Sequence, residues 1–220
     1  MKEERKLGGW KAILGFILLF LVIELVDEFL LSYFTGSREI FPSWIASLDL
    51  AGFKFVNRTL AFPPADLFFS LVTYTGATMF WLVVAVLLWV WNRRNEAVLL
   101  VAGVIISTLI LFPFKLLPRA RPFWIVAEVR TLGMESGYSF PSGHANNVFV
   151  AATILGKKDK LWKPFLWALA VVVSFSRIYI GVHWPLDVIV GAVLGWLTGK
   201  IVLRYEKEIA DKVLPHLTKL

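Results

Sequence analysis

The stretch Ser176–Asp187, SRIYIGVHWPLD, places an arginine, a histidine and an aspartate where two strongly apolar segments meet. Ionisable side chains at membrane depth are costly, so such a group indicates a functional site. His183 and Asp187 stand four residues apart at the entry to a predicted helix. A carboxylate at that spacing can bind one imidazole nitrogen, fix the tautomer and leave the other nitrogen free to attack. The pair is therefore a candidate nucleophile (His183) with its orienting group (Asp187).

A second stretch, Pro141–His144, reads PSGH just before another apolar run. Ser142 and Gly143 are expected to open a helix, where backbone N–H groups and the helix dipole favour an anion. Glycine also lets the backbone approach a ligand closely. His144 is then available as a general acid for a leaving oxygen.

The cationic residues that accompany these stretches are Lys115, Arg177 and either Arg119 or Arg121. An arginine fork matches phosphate oxygens bidentately, and such cations stabilise charge as a phosphoryl group transfers. Each stretch alone has a structural explanation: a turn before a helix, an interfacial salt bridge or a headgroup anchor. Together they predict a phosphate site. No carboxylate cluster of metal-ligand type accompanies it, so we expect no metal and no cofactor.

The composition indicates a membrane protein. The chain is 58% hydrophobic and only 18% charged, with a mean hydropathy of +0.70, against about 25% charged residues in soluble domains. It has no cysteine, which excludes disulfides and thiolate metal sites. The net charge of +7 is better explained by the positive-inside rule than by nucleic-acid binding. We expect a single integral-membrane domain over residues 1–220.

Apolar runs and breakers predict an all-α protein with six transmembrane helices. The predicted spans are residues 12–33, 67–91, 97–114, 142–156, 164–179 and 185–203.

Two other segments carry polar residues whose roles stay open. Residues 36–65 mix aromatic and aliphatic side chains with Asp49 and Lys54, which favours a helix lying in the outer interface. Glu24, Asp27 and Glu28 lie in the second half of the first predicted span. They either sit near the headgroups or face other helices, or they line a portal for lipid.

The basic residues divide unevenly between the two sides of this arrangement, fifteen against eight, which predicts that both termini are cytoplasmic. All three motifs then fall on the outer side. The predicted span 142–156 is only about 22 Å long at 1.5 Å per residue, short of a hydrocarbon core of about 30 Å. We therefore expect a polar pocket slightly below the outer surface.

Taken together, the three stretches resemble the signature of the type 2 phosphatidic acid phosphatase (PAP2) superfamily, a Lys…Arg-Pro motif, PSGH and SR-x5-H-x3-D. The second and third match residue for residue as 141–144 and 176–187. The first has five residues between Lys115 and Arg121 where the family usually has six. We expect Arg121 to be the main contact, with Arg119 as support.

The resemblance implies a PAP2/haloperoxidase-like helical core and a phosphohistidine intermediate. It assigns His183 as nucleophile, Asp187 as its orienter and His144 as acid. The phosphate-binding residues that it implies are Lys115, Arg121, Ser142, Gly143 and Arg177.

In size and plan the chain is similar to bacterial phosphatidylglycerophosphatase B-type enzymes, which implies a bacterial cell membrane and an active site on its extracytoplasmic face. The implied partners are lipid phosphates in the bilayer, first phosphatidylglycerol phosphate and phosphatidic acid. Undecaprenyl pyrophosphate is the alternative within the class. Other readings are phosphotransfer to another alcohol, a haloperoxidase (disfavoured by the six predicted spans) and a non-catalytic lipid- or anion-binding membrane protein. The two histidines and Asp187 argue against the last, because anion binding alone does not require them.

Overall fold

The structure, a computed structural model, describes residues 39–218, with side chains up to residue 215. Within this range the chain is helical, without strands, which confirms the predicted all-α fold. The helices are α1 (Ser43–Lys54), α2 (Pro63–Val72), α3 (Thr78–Val90), α4 (Arg94–Lys115), α5 (Pro122–Ile125), α6 (Gly143–Lys158), α7 (Lys163–Tyr179), α8 (Pro185–Arg204) and α9 (Glu206–Thr218). The predicted span 12–33, with Glu24, Asp27 and Glu28, lies outside the described residues.

Two of the described helices, α4 and α8, are long and apolar enough to cross a membrane. The pair α2–α3 also passes if it is counted as one span, although the chain bends there by 63°. Helices α6 and α7, with 16 and 17 residues, fall below the length of a full span. The six-span arrangement therefore remains a prediction.

The bend between α2 and α3 differs from the continuous helix predicted over residues 67–91. A short 3-10 turn, Thr73–Gly76, separates the two helices. Gly76 lies so close to α6 that a Cβ there would stand 2.8 Å from both the His144 Cβ and the Val173 Cγ1. The break brings this turn against the residues of the PSGH stretch.

Helix α6 forms the centre of the bundle and packs against α4, α7 and α8. Its side chains are buried on almost every face, including Val148, Val150 and Ile154. A helix that is apolar all round belongs in the interior of a bundle. The helix that carries the PSGH residues is thus held on all sides by its neighbours.

Helix α8 approaches α6 through three glycines spaced four residues apart. A Cβ on Gly191 would stand 2.4 Å from the Ser142 carbonyl oxygen, and one on Gly195 would stand 2.2 Å from that of Asn146. Gly199 meets Thr153 in the same way, at 2.6 Å. Small residues at this period let helix backbones approach closely in membranes. This contact fixes the register between the two helices that begin beside the site.

Candidate active site

The turn between α7 and α8 carries His183 into the interior. Arg177 lies in the last turn of α7, and its carbonyl oxygen accepts hydrogen bonds from the backbone N–H of Val182 and His183, each at 3.2 Å. Gly181 adopts a φ of 87°, a conformation that suits glycine, and a Cβ there would meet the Arg130 carbonyl at 2.6 Å. Pro185 then begins α8. The backbone therefore brings the third motif's arginine, histidine and aspartate to one place.

His183 and Asp187 form a buried pair. The Nδ1 of His183 lies 3.3 Å from Oδ2 of Asp187, and the two side chains are 1% and 0% exposed. The same Oδ2 accepts hydrogen bonds from the Trp184 backbone N–H, at 3.0 Å, and from the Ser139 hydroxyl. Because a carboxylate only accepts, this geometry places the imidazole proton on Nδ1. The lone pair then lies on Nε2 of His183, with Nη1 of Arg121 at 3.3 Å.

The second motif lies directly beside the third. The Ser142 backbone N–H donates to the Asp187 carbonyl oxygen at 3.0 Å, and the Ser142 hydroxyl caps α6 by accepting from Ala145 N–H at 3.5 Å. His144 follows as the second residue of α6 and is 23% exposed. His144 thus lies at the start of α6 and His183 just before α8, and the beginnings of these two helices are hydrogen-bonded to each other.

A carboxylate, that of Glu135, lies between these histidines and two arginines. Its Oε2 is 2.8 Å from Nη1 of Arg121 and 3.4 Å from Nε2 of His183. Its Oε1 contacts Nη2 of Arg177 and lies 3.7 Å from Nδ1 of His144. We call the four groups around this carboxylate (Arg121, Arg177, His144 and His183) the anion cradle.

The electrostatics of the cradle keep Glu135 charged and His183 neutral. Burial alone would raise the pKa of Glu135, but the charges of Arg177 and Arg121 hold it well below its usual value. Burial lowers the pKa of His183, although Asp187 and Glu135 both favour its protonated form. An unprotonated His183 is the form that can act as a nucleophile.

The two arginines of the cradle are held rigidly. The Arg121 side chain also donates to the carbonyl oxygens of Gly137, at 2.9 Å, and Ser136, at 2.8 Å. Arg177 donates to the Thr73 hydroxyl at 2.6 Å, in the turn between α2 and α3. Both side chains are at least 96% buried. Because their geometry is set by protein contacts, they are preorganised to receive an anion.

Arg119 lies on the opposite side of Asp187, away from the cradle. Its Nη1 donates to Oδ1 of Asp187 and its Nη2 to Oδ2 of Asp49, each at 2.5 Å. The structure therefore separates the two arginines of the first motif. Arg121 contacts the Glu135 carboxylate in the cradle, and Arg119 binds the Asp187 carboxylate that contacts His183. The predicted supporting contact of Arg119 with phosphate has no counterpart in this geometry.

The remaining predicted residues lie at the edge of the cradle. The Lys115 Nζ is 3.4 Å from the Tyr138 carbonyl oxygen, at the end of α4. Around Gly143 there is open space, since a Cβ there would meet nothing within 4 Å. The Ser142 backbone N–H was expected to face an anion, but it donates to the Asp187 carbonyl oxygen. Of the two amides predicted to face an anion, that of Ser142 is therefore already hydrogen-bonded within the protein.

Four residues that contact the candidate site were not predicted from the sequence to do so: Glu135, Asp49, Ser139 and Thr73. Asp49 gave a weak signal as the single acid in a mostly apolar helix. Glu135 and Ser139 lie in an irregular loop, where neither period nor capping predicts the direction of a side chain. Thr73 looks like an ordinary residue of an apolar span.

No group of three or more His, Asp or Glu side chains within residues 39–218 is arranged to hold a metal ion. The donors that converge at the site are guanidinium and imidazole groups, which suit an anion.

The helical core, the histidine–aspartate pair and the cradle define a membrane phosphatase, and comparison with known proteins agrees. Residues 96–210 match the PAP2 superfamily, and the chain belongs to that superfamily. It is 32% identical over 199 residues to an undecaprenyl-diphosphatase of Sulfolobus acidocaldarius, covering 88% of this chain and 89% of that protein.

Two crystal structures have a similar fold. One is LpxE of Aquifex aeolicus, with a TM-score of 0.69 and 31% identity, covering 77% of this chain and 100% of that one. The other is a PAP2-type phosphatidylglycerolphosphate phosphatase of Bacillus subtilis, with a TM-score of 0.66 and 24% identity, covering 90% and 96%. The predicted family is thereby confirmed, and the chain is a lipid phosphatase of the PAP2 superfamily.

Proposed function

We propose that the chain hydrolyses lipid phosphates through a phosphohistidine on Nε2 of His183. The observation that carries this proposal is the Glu135 carboxylate, an anion held by Arg121 and Arg177 with Nε2 of His183 at 3.4 Å from one of its oxygens. A substrate phosphate that displaces this carboxylate would bring its phosphorus in front of the free lone pair.

The first chemical step forms a bond between Nε2 of His183 and phosphorus and breaks the bond from phosphorus to the leaving oxygen. His144, whose protonated form is favoured by the negative charge of the bound phosphate, gives its proton to that oxygen, and the lipid alcohol or lipid monophosphate leaves. Asp187 holds the Nδ1 proton and stabilises the positive charge that develops on the imidazole. Arg121 and Arg177 stabilise the charge on the phosphoryl oxygens.

The second step returns the enzyme to its starting state. His144, now neutral, accepts a proton from water as the water oxygen attacks phosphorus. The phosphorus–nitrogen bond breaks, inorganic phosphate leaves, and His183 regains its lone pair. Neither chemical step requires a metal ion, so phosphate release should continue in the presence of EDTA.

His183→Ala tests the assignment of the nucleophile. The variant should lose turnover and the alkali-stable, acid-labile phosphoenzyme that the wild type forms with a labelled substrate, while its thermal unfolding in detergent stays close to that of the wild type. Phosphate release near the wild-type rate would remove His183 from this role.

Two substrates have separate support. Phosphatidylglycerol phosphate follows from the resemblance in size and plan described above. Undecaprenyl pyrophosphate is favoured by the similarity to an undecaprenyl-diphosphatase over 88% of this chain. Rates of phosphate release from both lipids, measured in one detergent at equal surface concentration, distinguish the two candidates.

We also propose that the site faces the extracytoplasmic side of the membrane, with both termini inside. The support is the distribution of lysine and arginine, fifteen residues on one side and eight on the other. Several of those eight lie in or beside the cradle, so the bias among the remaining residues is larger still.

A further inference from the structure

A row of buried charged groups leads from α1 to the candidate nucleophile. Asp49, in the middle of α1, binds Arg119 at 2.5 Å; Arg119 binds Asp187 at 2.5 Å; and Asp187 binds His183 at 3.3 Å. The side chains of Asp49 and Arg119 are 4% and 2% exposed. Charged groups this deeply buried are expensive unless each is paired. The row has a cost in desolvation that a purely structural contact between apolar helices would not have.

We call His183 and Asp187 the dyad. Asp49 supports the dyad through two contacts. While Oδ2 receives the Arg119 guanidinium, Oδ1 accepts the backbone N–H of Leu186 at 2.7 Å. Leu186 immediately precedes Asp187 in the first turn of α8. One carboxylate on α1 therefore fixes both the group that binds Asp187 and the backbone that carries it.

The guanidinium between the two carboxylates is also held by aromatic rings. Arg119 lies over the ring of Phe41 at 4.8 Å and over that of Trp184 at 5.3 Å. The Trp184 indole N–H donates to the Ala120 carbonyl oxygen at 2.8 Å. Arg119 thus has one accessible orientation, with its two donating nitrogens directed at Asp49 and Asp187.

Charge balance gives the row a chemical consequence. Two carboxylates around one guanidinium leave one formal negative charge beside His183. Attack by Nε2 develops a positive charge on the imidazole, and a neighbouring negative charge stabilises it. Without Asp49, Arg119 would neutralise Asp187 instead, and the developing charge would lose its counter-ion.

We propose that Asp49 is a positioning residue for the phosphatase reaction, acting through Arg119 to hold Asp187 on the His183 imidazole. The proposal rests on the phosphohistidine chemistry above. It makes α1 a working part of the active site, although it lies outside the three sequence motifs. Burial raises the pKa of Asp49, while Arg119 and the Leu186 N–H lower it, so the carboxylate depends on these partners for its charge.

The test is Asp49→Asn, which keeps an oxygen for the Leu186 N–H but removes the charge. We expect kcat and the rate of phosphoenzyme formation to fall about tenfold to a hundredfold, the usual effect of removing a partner that orients a catalytic ligand. KM and the inhibition constant for inorganic phosphate should stay close to those of the wild type. Arg121 lies at Nε2 of His183, whereas Asp187 and the row behind it lie at Nδ1. Asp49→Glu, which restores the charge, should recover part of the rate.

Asp66→Asn is the matched control. Asp66 also pairs with an arginine of the connecting loop, Arg130, at 2.7 Å, but it has no contact with the dyad. Its substitution should leave kcat unchanged. An Asp49→Asn variant with a wild-type kcat, or one in which only KM rises, would overturn the proposal.

A double-mutant cycle tests whether Asp49 acts through Arg119. Arg119→Lys cannot hold both carboxylates, because lysine lacks the rigid fork. If the effect passes through Arg119, adding Asp49→Asn to Arg119→Lys should reduce kcat little further. Additive losses would overturn that route.

The failure of this proposal and of the proposed function can be told apart. If the wild type forms no phosphoenzyme that depends on His183, the phosphohistidine chemistry is wrong. If the wild type forms it and Asp49→Asn forms it equally fast, the role of Asp49 alone is refuted. Binding of inorganic phosphate by the variant shows that it is folded.

Discussion

The position of the Glu135 carboxylate predicts that this residue competes with the substrate. It contacts both arginines of the cradle and stands within 3.7 Å of both histidines. The charges of Arg177 and Arg121 hold its pKa well below the usual value against the effect of burial, so it is ionised at neutral pH. A substrate phosphate has to displace it, and a side chain that is 26% exposed can swing toward solvent.

Glu135→Gln weakens this internal competitor while keeping its shape. A hydrogen bond to a charged group contributes about 1.5–3 kcal/mol, against about 0.5–1.5 kcal/mol for a neutral one. Two arginine contacts change in this way, but the partial exposure of Glu135 screens them, so a net loss of about 1.4 kcal/mol is a conservative figure. That energy corresponds to about a tenfold shift toward the open cradle.

We therefore expect Glu135→Gln to lower both KM and the inhibition constant for inorganic phosphate by about tenfold. The kcat value should change little, because the carboxylate has left before the chemical step. The assay is release of phosphate from a short-chain lipid phosphate in detergent micelles. Glu128→Gln is the control, since Glu128 lies in the same loop and its side chain is 85% exposed. Unchanged KM and inhibition constants, or a parallel loss of kcat, would refute the reasoning.

Three further predictions concern pH, topology and packing. Burial lowers the pKa of His183. The value of kcat/KM, which reports the free enzyme with Glu135 still in the cradle, should therefore persist as the pH falls through about 6.5, the ordinary histidine value, and decline only below it. Glu135→Gln should move that decline to lower pH, since Glu135 favours protonated His183, and a decline beginning above the ordinary value would contradict this. The chain has no cysteine, so Met134→Cys and Leu161→Cys, both at positions 83% exposed, can be labelled singly with a membrane-impermeant maleimide. In intact cells only the cysteine at position 134 should be labelled, and in permeabilised cells both variants should be. Labelling of position 161 alone in intact cells would show the opposite topology. Gly195→Ala should destabilise the protein by about 1–3 kcal/mol in thermal or denaturant unfolding, because its Cβ would meet the Asn146 carbonyl at 2.2 Å, whereas unchanged stability would show that the helices can separate.

Much of the helical framework could be predicted from the sequence, because helix starts depend on local chemistry. Pro185 begins α8 and Ser142 caps α6, as their residue types indicate. The predicted span 97–114 lies within α4. The bend at Gly76 was not predicted, because a single glycine inside an apolar run is tolerated in a helix and the close approach of His144 and Val173 is not visible in the sequence.

The meeting of the candidate reacting groups could also be predicted from the sequence. Residues four apart at a helix entry can meet through local geometry alone, and His183 and Asp187 do so at 3.3 Å. The shared side of the membrane predicted that His144 and Arg177 would join them. For motif residues that lie on helices or at their ends, the sequence alone can therefore predict which of them meet.

Only the tertiary structure decided which residues of the site each loop side chain contacts. The sequence favoured Arg121 over Arg119 as the main contact without separating their positions; the fold places Arg121 against Glu135 and His183, and Arg119 against Asp187 and Asp49. It also brings Glu135 into the cradle and Asp49 against the first turn of α8. The physical reason is that irregular backbone has no period, so the direction of each side chain is set by contacts with residues far away in the chain.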